Sequence, residues 1–484
     1  MCPQLAPTPD MADLILVGQE DCLKLNVYVP ETSLDVLLPV MIWIHGGGLE
    51  TGSNNFVDYG PHRLLDQGVI VVSINYRLGP LGYLSLGTEV VPGNAGMLDQ
   101  VMAMEWVRDN IGYFSGDPDS VTVFGESAGS ASIAYHLLSP RSVGLFQRGI
   151  LQSGTALGLS WGSYIPADQA LEYSAIFATN LGCEEGDLVC LQNKDMTDII
   201  MQTYILDIPG DALTNFGTAW MPVMDAEFTE EFFLPGDPQE LLSSGQFNSE
   251  VDIIIGSNRN EGLLWMLGEI FDESLYQEVS EDWDMYGPMR IFNIANPEDR
   301  TQIDVERARQ ALQFYTGWGG SFSPEYFENL VDLFTDAFAL YSVHQTMKAF
   351  VSKGMKVFHY ILTYEGEFSL LNLYGLQTMG VCHADDLLYL FEPIFGNSGW
   401  DSDTNTLTGS DLEVSDWLVS AWTNFATFGD PTPPSDTQQS VWLPAEPGNY
   451  HYLNISGSNP GMEYAEDIEL RIQFWTEIMT KKVC

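Results

Sequence analysis

Residues 120–130, SVTVFGESAGS, place a serine flanked by glycines between two different hydrophobic patterns. The β-branched run that opens this stretch predicts a strand, and residues 128–139 predict a helix. Ser127 stands two residues after Gly125 and two residues before Gly129. In a strand–turn–helix context this spacing is typical of a turn that exposes a nucleophilic serine at the carboxyl end of a strand. A serine in an ordinary glycine-rich loop is the alternative interpretation.

The segments around this stretch alternate between strand and helix patterns. Residues 94–114 carry apolar residues at helical spacing, and the predicted strands are nearly all apolar: 23–30, 39–48, 68–77, 120–125, 148–154, 251–258 and 355–365. Such strands, connected by helices, indicate a mostly parallel central sheet with helices on both faces. Residues 160–350 predict a largely helical insertion, and helices are expected at 411–428 and 466–480. We therefore predict a single α/β domain over residues 1–484.

The composition excludes some classes of partner. The 484-residue chain has 67 Asp and Glu residues against 18 Lys and Arg residues, a formal net charge of −49. This charge repels phosphate backbones, so we expect no nucleic-acid partner. No apolar run reaches the about 18 residues of a membrane-spanning helix, so we expect no membrane span.

The sequence offers little for a metal. The six cysteines include no CxxC pair, and the seven histidines form no HxxxH or HExxH motif. We therefore predict no metal site and no cofactor. One glycosylation sequon is present, which makes Asn454 a candidate acceptor.

A second glycine turn follows the predicted strand at 39–48. In IHGGG, residues 44–48, three consecutive glycines allow backbone N–H groups to approach a substrate carbonyl without intervening side chains. A flexible turn is the alternative. We interpret this loop as one side of an oxyanion hole.

A serine nucleophile also requires a base and an acid that orients it. His383 lies in GVCHADDL after the predicted strand at 355–365, and Glu261 lies in GSNRNEG after an earlier strand. Position alone favours the interpretation that each is a surface residue. Asp385 and Asp386 compete as the acid, but residues so close along a loop seldom orient a histidine ring from behind.

Together these motifs resemble the type-B carboxylesterase family of α/β-hydrolases, which includes the cholinesterases. The resemblance runs over essentially the whole chain and is carried by EDCLKLNVYVP, IHGGG, NYRLGPLGYL, GDPDSVTVFGESAGSAS, LQSGTAL, GSNRNEG and GVCHADDLLYLF. The segment HADDLLYLF is similar to arthropod carboxylesterases. The resemblance implies an α/β-hydrolase fold and hydrolysis of carboxylic esters without a cofactor.

Site roles follow from the resemblance, position by position. It implies that Ser127 is the nucleophile, Glu261 the acid and His383 the base. It assigns the oxyanion hole to backbone N–H groups of Gly47, Gly48 and Ala128. Glu126 is expected to act electrostatically at the floor of the active-site gorge, with a solvated acid as the alternative.

The resemblance also implies two disulfides and an oxidising compartment. The pairs are Cys2–Cys22 and Cys183–Cys190, and Cys382 is expected to be a buried free thiol. We therefore expect a secreted, extracellular protein.

Two departures from the family qualify these expectations. The cholinesterase tryptophan that binds a quaternary ammonium has no counterpart, because residues 3–21 contain no Trp, Tyr or Phe. We therefore expect uncharged esters as substrates. A family segment before Cys2 and a signal peptide are also missing, so we expect an incomplete chain that folds poorly. A non-catalytic adhesion or scaffold protein of the same family is the alternative function.

Overall fold

The computed structural model describes residues 1–7, 14–31, 36–158, 164–203, 219–292, 294, 300–392, 407–434 and 440–480. The strands of this part of the chain are β1 (Gln4–Pro7), β2 (Leu14–Val17), β3 (Leu25–Tyr28), β4 (Leu38–Ile44), β5 (Ile70–Ile74), β6 (Gly116–Glu126), β7 (Arg148–Gln152), β8 (Asp252–Asn258), β9 (Val357–Leu362), β10 (Tyr452–Ile455) and β11 (Gly461–Glu463).

The α-helices of the same residues are α1 (His62–Leu65), α2 (Gly79–Tyr83), α3 (Ala95–Asn110), α4 (Ala128–Leu138), α5 (Ala167–Asn180), α6 (Leu188–Gln192), α7 (Met196–Met201), α8 (Pro238–Ser244), α9 (Leu267–Phe271), α10 (Ser274–Glu281), α11 (Trp283–Phe292), α12 (Gln302–Thr316), α13 (Phe327–Thr335), α14 (Tyr341–Ser352), α15 (Gly409–Phe428) and α16 (Glu466–Thr480). Shorter 3₁₀ segments include Glu261–Met266, and residues Asp336–Leu340 form a π-helical turn between α13 and α14. None of the described helices is long and apolar enough to cross a membrane.

Nine of these strands form one sheet in the order β11-β10-β9-β8-β7-β6-β4-β5-β3. The neighbours from β10 to β5 run parallel, and only the outer pairs β10–β11 and β5–β3 are antiparallel. Strands β5 and β9 are buried at every residue, as expected for parallel strands covered on both faces. The mostly parallel α/β architecture predicted from the sequence is confirmed.

Short antiparallel elements are absent from the sequence prediction. β1 and β2 form a separate two-stranded sheet, and β10 and β11 extend the main sheet beyond β9. Each of these strands has only three or four residues, too few for a clear alternation of polar and apolar side chains.

The cysteines of the described residues are arranged as predicted. Cys2 is bonded to Cys22 and Cys183 to Cys190, with Cα–Cα distances of 4.8 and 5.8 Å. Cys382 is a buried free cysteine. Cys484 lies outside the described residues.

Candidate active site

Ser127 occupies a strained turn between β6 and α4. Its φ and ψ angles are 56° and −118°, a backbone conformation that residues other than glycine seldom adopt. The turn is fixed on both sides, because the Ser127 N–H donates to the Gln152 carbonyl at 2.8 Å and the Ala131 N–H donates to the Ser127 carbonyl at 2.9 Å. The sharp turn therefore presents this serine at the carboxyl end of the parallel sheet.

The flanking glycines let the turn approach neighbouring backbone. A Cβ atom on Gly129 would lie 2.0 Å from the Ile44 carbonyl oxygen, and one on Gly125 would lie 2.7 Å from the Gly129 carbonyl carbon. No side chain fits at these distances. The glycine spacing noted in the sequence is thus required by close packing of α4 against β4 and β6.

Glu261 and His383 meet beneath this turn. Glu261 opens the 3₁₀ segment after β8, and its Oε2 lies 2.6 Å from His383 Nδ1. Its other oxygen, Oε1, accepts hydrogen bonds from the Ser153 hydroxyl at 2.5 Å and the Asn258 N–H at 2.6 Å. Glu261 is fully buried and His383 is 5% exposed. The carboxylate is therefore held in one orientation and directs Nε2 of the imidazole away from itself.

The two competing carboxylates face elsewhere. Asp385 accepts hydrogen bonds from the N–H groups of Leu370 and Cys382 at 2.6 and 2.7 Å. Asp386 Oδ2 accepts from Gln152 Nε2 at 2.7 Å. Both carboxylates thus bond to groups other than the His383 ring. This agrees with the prediction that neither aspartate orients the histidine.

Glu126 lies on the other side of the imidazole. Its Oε1 is 2.9 Å from His383 Nε2, and both side chains are about 5% exposed. Although burial alone lowers the pKa of His383, the negative charges of Glu126 and Glu261 raise it well above the usual value for histidine. Within the described residues, no hydrogen bond joins the Ser127 hydroxyl to His383. Such bonds often form only when substrate is bound.

The glycine loop after β4 faces the same space. Gly47 and Gly48 have φ angles of 103° and 64°, and a Cβ on Gly47 would lie 2.4 Å from the Thr51 carbonyl oxygen. His45 contacts the start of this loop, because its Nδ1 lies 2.8 Å from the Gly46 carbonyl oxygen, and its ring stacks on Tyr76 with centroids 4.4 Å apart. These glycines line the cavity together with Ser127, while Ala128 begins α4 directly after it.

The cavity has a volume of about 260 Å³ and mostly apolar walls. Trp265 and Phe338 pack against each other, with ring centroids 4.0 Å apart. Both rings also meet the His383 imidazole edge to face, at 6.0 and 5.1 Å. Among the described residues, the cavity is lined by Gly46, Gly47, Gly48, Thr51, Gly52, Tyr59, Glu126, Ser127, Leu264, Trp265, Phe338, Leu370, Leu373, Tyr374, His383, Ala384 and Leu387.

Sequence reasoning missed several residues of this site. Ser153 contacts Glu261 from the end of β7, where its φ angle of 57° resembles that of Ser127. The only sequence signal was its place in LQSG, at the end of the predicted strand 148–154. Trp265 and Phe338 gave no signal, because an aromatic residue in a helical region is usually part of the core.

The candidate glycosylation site lies in the sheet. Asn454 is half-buried in β10, where it lies opposite Ile361 of β9 and Gly461 of β11. Its side-chain oxygen accepts a hydrogen bond from the Thr363 hydroxyl at 2.5 Å. This position is less accessible than a surface loop, and glycosylation at Asn454 stays a prediction.

Comparisons with known proteins agree on one family. A profile of the carboxylesterase family matches residues 1–475. The juvenile hormone esterase of Tribolium castaneum is 33% identical over 493 residues, covering 95% of this chain and 80% of the relative. A carboxylic ester hydrolase of Bombus ignitus is 32% identical over 492 residues, covering 97% and 81%. The crystal structure of Manduca sexta juvenile hormone esterase, with OTFP covalently attached, superposes with a TM-score of 0.81 at 26% identity and covers 96% and 85%.

Proposed function

The chain belongs to the carboxylesterase family, and from this premise we propose that it hydrolyses uncharged carboxylic esters through an acyl-enzyme on Ser127. One observation carries the proposal: His383, held 2.6 Å from the buried Glu261, lines the same cavity as a serine on a strained turn. This is the arrangement of nucleophile, base and orienting acid that acyl transfer requires.

In the proposed mechanism, His383 Nε2 takes the hydroxyl proton as Ser127 Oγ attacks the ester carbonyl. The N–H groups of Gly47, Gly48 and Ala128 stabilise the negative charge on the carbonyl oxygen. The imidazolium then protonates the departing alcohol, which leaves an acyl group on Ser127. Water, deprotonated by His383, attacks this acyl-enzyme, and collapse of the second tetrahedral intermediate releases the acid while His383 returns the proton to Ser127 Oγ.

The proposed preference for uncharged esters rests on the cavity and on the N-terminal loop. Four leucines and the rings of Trp265 and Phe338 make most of the cavity wall apolar, which suits an uncharged acyl or alcohol group. Residues 3–21 supply no aromatic ring for a quaternary ammonium. The test compares kcat/KM for acetylcholine with that for its neutral analogue 3,3-dimethylbutyl acetate at moderate salt. A higher value for acetylcholine would contradict the preference.

The two disulfides support an extracellular location, because such bonds persist in oxidising compartments. We propose that the protein acts after secretion. Non-reducing peptide mapping of protein from a secretory host would show Cys183 or Cys190 alkylated if this bridge does not form.

Replacing the nucleophile tests the catalytic proposal. Ser127→Ala is expected to abolish turnover of p-nitrophenyl esters while the melting temperature stays near that of the wild type. The matched control is Ser130→Ala, because Ser130 is a buried serine three residues later whose hydroxyl donates to the Gly154 carbonyl at 2.6 Å. This control should retain activity within about tenfold.

Covalent labelling gives an independent readout. An organophosphate should modify Ser127 and no other serine, as peptide mass spectrometry can show. Near wild-type turnover by Ser127→Ala would refute the assignment. A correctly folded wild-type protein that hydrolyses none of the esters would instead favour the non-catalytic alternative.

A further inference from the structure

The Trp265 wall of the cavity is attached to a buried ion pair behind it. Trp265 is the second-last residue of the 3₁₀ segment that Glu261 begins, and α9, which contains Glu269, follows this segment directly. Arg290 of α11 donates from Nη2 to the Trp265 carbonyl oxygen at 2.7 Å. The same guanidinium forms hydrogen bonds with both carboxylate oxygens of Glu269. Arg290 thus links the Trp265 backbone to helix α9, which follows it along the chain.

The arginine itself is held firmly. Its side chain is 6% exposed and that of Glu269 is fully buried. The guanidinium carbon lies 5.2 Å from the ring centroid of Phe322 and 5.0 Å from that of Phe334, so aromatic rings contact the cation in addition to its charged partner. A planar guanidinium with donors in fixed directions can bind a carboxylate and a carbonyl at once, which a lysine ammonium does less well.

We infer that the Arg290–Glu269 pair is a positioning device that fixes the Trp265 wall and thereby sets the size of ester that the site accepts. A buried ion pair is expensive to desolvate and often adds little net stability, so geometric control is the better account of this pair. The Trp265 ring lies against His383 and Phe338, beside the reacting groups. A small outward movement of its backbone would therefore enlarge the cavity next to Ser127. The inference rests on the proposed ester hydrolysis.

The test removes both charges together. Arg290→Met with Glu269→Leu leaves no unpaired buried charge but removes the donor to the Trp265 carbonyl. The matched control is Arg309→Met with Asp284→Leu, the same type of substitution in an exposed ion pair between α12 and α11. Both variants are assayed as full chains on two ester series, one lengthening the acyl group and one lengthening the alcohol.

In one of the two series, the ratio of kcat/KM for long over short esters should rise on the order of tenfold in the Arg290/Glu269 variant. Room for one methylene group in an apolar pocket changes kcat/KM by about this factor. The control variant should keep the wild-type ratio. The pH dependence of kcat/KM should be unchanged, because the Glu261–His383 pair is not altered. Arg290→Lys keeps a cation opposite Glu269 and should therefore change the same ratio by a smaller factor. It takes the place of the double variant if that variant does not fold.

Two results would overturn the inference. The first is an unchanged length ratio in both ester series for Arg290→Lys and for any folded double variant. The second is an equal loss of kcat for all esters with a shifted pH profile, which would mean that the pair supports Glu261 and not the wall. Failure of the proposed function looks different: the wild type would then show no hydrolysis that depends on Ser127, and the inference would fall with it.

Discussion

Replacing Glu261 by glutamine tests the orientation of the histidine base. In the structure Glu261 Oε2 accepts a hydrogen bond from His383 Nδ1–H, which fixes the tautomer whose Nε2 can act as a base once Nε2 has lost its own proton. The other carboxylate oxygen accepts from two donors, the Ser153 hydroxyl and the Asn258 N–H. In Glu261→Gln the amide oxygen must stay with these donors, so the amide NH2 group faces Nδ1. The amide then donates to Nδ1 and favours the tautomer that carries its proton on Nε2.

The neighbouring carboxylate makes this tautomer more favourable still. An Nε2–H group lies 2.9 Å from Glu126 Oε1 and can donate to it. A histidine held in this form cannot accept the Ser127 proton. The corresponding Asp→Asn change in a serine protease lowers kcat about 10⁴-fold, and we expect a similar loss here, about 5.4 kcal/mol of transition-state stabilisation. Because substrate contacts are unchanged, kcat and kcat/KM should fall together.

The assay is steady-state hydrolysis of p-nitrophenyl acetate, with thermal unfolding as a check of the fold. Asp386→Asn is the matched control, since Asp386 lies three residues from His383 and its Oδ2 bonds to Gln152. The control should lose less than about tenfold. The reasoning is refuted if Glu261→Gln keeps more than about a tenth of the wild-type kcat, or if Asp386→Asn loses as much as Glu261→Gln.

Three further substitutions give distinct readouts. Glu126→Gln removes one of the charges that raise the pKa of His383, so the acidic limb of kcat/KM against pH should move to lower pH; an unmoved limb would contradict the electrostatic role. Burial lowers the pKa of His136 to about 3, so wild-type stability is lost as the pH falls below the unfolded value of 6.5. Chemical denaturation should show the stability of wild type relative to His136→Gln falling by about 2 kcal/mol between about pH 7.5 and about pH 5. Gly129→Ala should lower the melting temperature, because the added Cβ would clash with the Ile44 carbonyl oxygen. This loss should exceed the about 1 kcal/mol by which alanine is more favourable than glycine in a helix, and an unchanged melting temperature would be incompatible with this packing.

The sequence predicts those parts of the molecule that depend on local patterns. The central strands are visible because each is a short apolar run bounded by turn residues. The turn at Ser127 is visible because two glycines flank the serine at a fixed spacing, directly between a strand pattern and a helix pattern. Glu261 and His383 could be placed only at the ends of strands, and the resemblance to a family then selected them from other polar residues at such positions.

The rest of the site depends on contacts between distant segments. The 2.9 Å approach of Glu126 to His383 joins residues from β6 and from the loop after β9, and no spacing along the chain indicates it. The cavity walls come from a 3₁₀ segment and a π-helical turn, whose conformations the hydrophobic pattern does not distinguish from ordinary helix. Contacts between the helical insertion, residues 160–350, and the sheet determine the Glu126–His383 approach and the shape of the cavity walls.

The two carboxylates beside His383 impose opposing demands on the base. In the proposed mechanism, both would stabilise the imidazolium that forms when Ser127 loses its proton, which would lower the barrier to attack. The same charges keep the resting ring protonated to a higher pH, and a protonated ring cannot act as the base. Glu261 Oε1 is tied to two other donors, whereas Glu126 Oε1 lies 2.9 Å from His383 Nε2 and has no donor besides this ring among the described residues. Because only Glu261 bonds to Nδ1 and so fixes the tautomer, Glu126 is the carboxylate through which the pH range of activity can be adjusted without loss of that tautomer.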